Sequence, residues 1–116
     1  MSLVKIELGG APVRSEGVGA TVLFEHDRMK VRRIELAAGA RIPPCQMHED
    51  VVFVVVAGRV VFRAAGEEMV VASPGAVFIP GGAVTRSMEA REASLVLAVL
   101  CRPGSVSETD GGSARP

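Results

Sequence analysis

The chain has 116 residues, 48% of them apolar, and its thirteen basic and thirteen acidic side chains cancel. That length supports one domain able to bury roughly two-thirds of its unfolded surface. Balanced charge without a basic stripe argues against a nucleic-acid partner, and the apolar run Val51 to Gly58 is far too short to span a bilayer.

Short apolar runs rich in β-branched Val follow one another along the chain, separated by Gly, Pro or polar turns. Strands are predicted at 3–8 (LVKIEL), ending at Gly9-Gly10, at 20–26 (ATVLFEH), ending at Asp27-Arg28, and at 29–37 (MKVRRIELA), ending at Ala38-Gly39. The next three run 51–57 (VVFVVVA) to Gly58, 59–64 (RVVFRA) to Ala65-Gly66, and 67–72 (EEMVVA) to Ser73-Pro74-Gly75. The last two are 76–80 (AVFIP), meeting Gly81-Gly82, and 93–101 (ASLVLAVLC). No segment of helical length shows a competing 3.6-residue apolar period, so the pattern predicts an all-β sandwich or barrel. Residues 102–116 hold one aliphatic side chain, Val106, and predict a flexible C-terminal tail.

The N-terminal MSLVKIELGG lacks the apolar core and cleavage site of a signal peptide. Cys45 and Cys101 are too few and too far apart for a disulfide framework. A cytoplasmic protein with reduced thiols is therefore expected. With no Trp and no Tyr, stacking platforms could come only from Phe24, Phe53, Phe62 and Phe78.

The chemistry-bearing residues concentrate in RIPPCQMHED (41–50), which crowds a thiol, a thioether, an imidazole and two carboxylates together. Around it, Gly39 is followed by Cys45, Met47, Val51 and Gly58, and further on come Gly75, Pro80, Gly82, Thr85 and Glu89. This spacing resembles the two signature motifs of the cupin superfamily over about residues 29–101. The first motif reads Gly, five residues, His-x-His, three or four residues, Glu, six residues, Gly. The second reads Gly, five residues, Pro-x-Gly, two residues, His, three residues, Asn. The first is matched without a gap from Gly39 to Gly58; in the second, Gly75 lies one residue closer to Pro80 than the pattern has it.

The resemblance implies an all-β fold, a single small jelly-roll β-barrel of the cupin type. It implies N-terminal strands at a dimer or barrel edge (1–28), a barrel core (29–101) and the tail (102–116). It also implies a pocket at the barrel mouth, which in cupins holds a divalent metal with three His and one Glu. Here Cys45 and Met47 stand at the first two histidine positions, Val51 at the glutamate, Thr85 at the third histidine and Glu89 at the asparagine. Val51 cannot coordinate, and Thr85 is a poor substitute for imidazole.

Strand alternation puts Cys45, Met47, Val51 and Phe53 on one face, and His48 and Asp50 on the other, unless a bulge at Pro43-Pro44 reverses them. The expected ligand pocket is Cys45, Met47, Val51, Phe53 and Thr85. Three functions follow from it. The first is binding of a small apolar or weakly polar molecule, with no cofactor. The second is a metal-dependent enzyme of dioxygenase or isomerase type, with Cys45, His48 and a carboxylate holding a divalent or soft transition-metal ion. The third is a thiol-based sensor using Cys45 beside His48 and Arg41. His26 reads as a solvated turn residue and Cys101 as core packing. Of Arg32 and Arg33, one points inward if the strand is regular, either towards an anionic ligand or into an ion pair with Glu35. Runs that are Val-rich on both faces, at 51–57 and 93–101, predict a homodimer covering the outer face. Neither a nucleic acid nor a membrane is an expected partner.

Overall fold

The computed structural model describes residues 3–11, 14–82 and 85–102, and among them there are nine β-strands and no helix. The strands are β1 (Val18–Glu25), β2 (Met29–Leu36), β3 (Arg41–Gln46), β4 (Asp50–Ala57), β5 (Arg59–Ala64), β6 (Glu67–Ala72), β7 (Gly75–Ile79), β8 (Thr85–Ala90) and β9 (Ser94–Cys101). They form two antiparallel sheets. The first has the order β1-β2-β9-β4-β7 and the second β3-β8-β5-β6. Among the described residues no helix is long and apolar enough to cross a membrane.

Period-two alternation explains which faces meet. Ile34 and Leu36 of β2, Val51, Phe53 and Val55 of β4, and Val96, Ala98 and Leu100 of β9 point inward from the first sheet. Val60 and Phe62 of β5, Val71 of β6, and Met88 and Ala90 of β8 answer them from the second. All of these belong to one buried cluster. Each such aliphatic side chain taken out of water is worth about 1.5–3 kcal/mol, which is what holds the two layers together. Phe53 and Phe62 stack across the interior with ring centroids 5.2 Å apart, joining the sheets by an aromatic contact.

The jelly-roll arrangement is all-β as expected, but the two sheets are not closed into a barrel. Strands β1 and β7 end one sheet, β3 and β6 end the other, and these edges are not hydrogen-bonded across. Proline accounts for part of this: Pro43 and Pro44 remove two ladder donors from edge strand β3, where the register with β8 slips between Ile42 and Cys45.

Three local expectations change. Residues 3–8 form no strand; instead Arg33 donates to the carbonyls of Leu8 (2.7 Å) and Gly10 (2.8 Å), tying the segment to the outer face of the first sheet. Two strands not predicted, β3 and β8, complete the second sheet. Cys101 is exposed, because at the end of β9 it has the outward parity, opposite to Leu100. The tail from 103 onward lies outside the described residues.

Candidate functional site

A cavity of about 150 Å³ lies between the sheets, and both contribute to it. On the first sheet, the inward row runs Arg32, Ala98, Phe53 across β2, β9 and β4. Ala98 is the reason for the space, since a methyl group stands between two long side chains. Ala20 and Ile34 flank that row on one side and Leu100 on the other. On the second sheet, Met88 faces Ile42 and Arg86 faces Cys45 along the β8–β3 ladder. Met47, just past β3, completes the wall. Exposed Ala20 and Cys45 mark where the cavity opens to solvent.

The lining is apolar but carries two guanidinium groups. Arg86 is only 4% exposed. Its Nη2 donates to the Glu49 carbonyl at 3.1 Å, and its Nη1 reaches the carbonyls of Ile79 at 3.5 Å and Pro80 at 3.4 Å. It thereby holds the 47–50 turn against the end of β7. That junction is close on the main-chain side as well: Gly82 N donates to Met47 O at 3.0 Å and Gly81 N to the Asp50 carboxylate at 2.8 Å. The Nε atoms of both Arg86 and Arg32 are buried with no hydrogen-bond partner among the described residues. None of the ion pairs found among the described residues involves either arginine.

Cys45, Met47 and Phe53, predicted for the pocket, line this cavity. Val51 lies beneath it, packed in the core at 1% exposure. Thr85 is exposed and outside the lining, because burial along β8 alternates with Arg86, Met88 and Ala90 inward. The inward position therefore comes one residue after the one the motif spacing indicates. His48 is exposed and outside the lining too, and Asp50 is taken up by Gly81. Glu89, at the asparagine position, has the outward parity and pairs with Arg63 (3.4 Å) and Arg41 (3.7 Å). His26 is an exposed turn residue beside Phe24. Of the two adjacent arginines, Arg33 turns outward into a 2.6 Å contact with Glu35, and Arg32 turns into the cavity. Arg86 was not singled out in the sequence, although Met88 and Ala90 at the same parity mark its direction.

These side chains do not fit the metal that the cupin motifs imply. Among the described residues the cavity offers one thiol, Cys45, and two thioethers, Met47 and Met88, but no imidazole and no carboxylate, and two guanidinium charges face any cation entering it. Among the described residues no group of three or more His, Cys, Asp or Glu is placed to hold a metal ion.

No family model matches the sequence, and no curated protein matches it. Solved structures do match. A cupin superfamily protein from Desulfitobacterium hafniense superposes with a TM-score of 0.75 at 11% identity, over 86% of this chain and 100% of that one. A conserved protein of unknown function from Streptococcus pyogenes gives 0.74 at 18% identity, over 90% and 99%. A predicted oxalate decarboxylase from Thermotoga maritima gives 0.68 at 19% identity, over 74% and 81%. The chain has the cupin fold.

Proposed function

We propose that the protein is a small-molecule-binding cupin that uses the cavity between its sheets without the metal of its fold. On this reading it works in the cytoplasm as a homodimer paired through the outer face of the five-stranded sheet. The observation that carries the reading is the lining itself: Ile34, Ile42, Met47, Phe53, Met88 and Leu100 surround an open space with no metal-ligand set beside it among the described residues. A cavity of about 150 Å³ accommodates a benzene ring, so the ligand is small and its body mainly apolar.

Ala98→Leu tests this. The added isobutyl group fills the space between Arg32 and Phe53 from the floor of the cavity. Titration calorimetry with benzyl alcohol, a neutral probe of matching size, will show binding to the wild type and at least about tenfold weaker binding to the variant. A circular dichroism spectrum unchanged from wild type will show that the sheets persist. Equal binding by a folded variant would place the probe elsewhere and remove the reading.

A further inference from the structure

We infer that the ligand of this cavity is a small monocarboxylate with an apolar body, its carboxylate held by Arg32 and Arg86. The inference rests on the cavity being a binding site and adds the chemical class of what binds. Burying a charge is costly unless it is paired, yet Arg86 is 4% exposed and has no carboxylate partner among the described residues. Its contacts are main-chain carbonyls, whose dipoles satisfy protons without neutralising the charge. Arg32 brings a second positive charge to the same cavity, so the two repel while it stays free of an anion.

The orphaned atoms point the same way. Buried polar atoms normally find partners, and among the described residues two do not: Nε of Arg32 and Nε of Arg86. The Nε edge of a guanidinium is one of the faces that grips a planar carboxylate through parallel hydrogen bonds. Around these two groups the wall is Phe53, Met47, Met88 and Leu100, which suits a hydrocarbon and not a second charge. Inorganic phosphate meets the charges but leaves that wall empty. A neutral hydrocarbon fills the wall but leaves both Nε atoms orphaned. A monocarboxylate of about the size of benzoate answers both.

Arg86 also clamps the carbonyls of Glu49, Ile79 and Pro80, so its replacement disturbs the fold as well as the site. Arg32 has no such clamp among the described residues and carries the test. Titration calorimetry at low ionic strength compares benzoate, its neutral isostere benzamide, benzyl alcohol and inorganic phosphate on wild type, Arg32→Met and Arg32→Lys. The expected order on wild type is benzoate at least tenfold tighter than benzamide, and phosphate weakest. Arg32→Met removes at least tenfold of the benzoate affinity and a clearly smaller factor of the benzyl alcohol affinity, and Arg32→Lys recovers part of the benzoate loss. Benzoate no tighter than benzamide, phosphate tighter than benzoate, or an Arg32→Met variant that binds benzoate like wild type would each overturn the carboxylate. If benzyl alcohol binds and benzoate does not, the neutral-ligand reading survives and the carboxylate falls; if neither binds, both fall.

Discussion

Gly58 shows how much one position can decide. Its φ of +90° lies in the left-handed region, and a β-carbon there would run into the Ala93 carbonyl and Ser94. Ser94 is fully buried, accepts from Arg59 N at 3.1 Å and donates to the Glu92 carbonyl at 2.7 Å, so it cannot yield. Gly66, in the two-residue turn after β5, has a similar φ of +77° but open space around it. Gly58→Ala should therefore lower unfolding free energy by at least about 2 kcal/mol, and Gly66→Ala by about 1 kcal/mol, the conformational part alone. Urea denaturation of the two variants checks this, and equal losses would refute the close-packing part. Gly58 was legible as the glycine closing the first motif. The direction of Arg32 was not: two adjacent arginines leave the inward one open until the pairing of β2 with β9 sets Arg32 beside Ala98.

At the scale of the element, the runs with several Val or Leu were legible because alternation and turn residues agree there. Strands β5 and β6 run 59–64 and 67–72, and both were expected at those bounds. The strands that escaped are the two that carry much of the site. In β3, Pro43 and Pro44 mask an extended segment, since proline reads as a break although an edge strand tolerates it. In β8, only Met88 and Ala90 are apolar, so the run looks like a polar loop despite strict alternation of burial. The motif spacing put the third histidine position on Thr85, and only the alternation of β8 shows that this residue faces outward. Once the strand is drawn, Arg86 shares its inward face with Met88, and the charge of the cavity follows. The strand at 3–8 failed for a different reason: that segment is held by the Arg33 side chain and pairs with no neighbouring strand.

At the scale of the whole molecule, one sheet has two apolar faces. Outward from the first sheet, Phe78, Val52, Val99 and Val31 make one continuous row across β7, β4, β9 and β2. Phe78 is 58% exposed, a large apolar ring that a second copy would cover. Light scattering behind a sizing column should give twice the 12.1 kDa of one chain, and Phe78→Glu with Val52→Glu should return it to the single-chain mass. A wild-type protein that stays at the single-chain mass across concentrations would contradict the pairing.

The central claim is that ligand enters between the sheets, where a cupin would keep its metal. Methyl NMR of protein carrying ¹³C-methyl methionine tests it most directly, because Met47 and Met88 line the cavity while Met29 and Met69 are exposed elsewhere. On titration with benzoate, the Met47 and Met88 signals should shift together along one saturable curve, with Met29 and Met69 unmoved. Saturable shifts at Met29 or Met69, with Met47 and Met88 still, would contradict it.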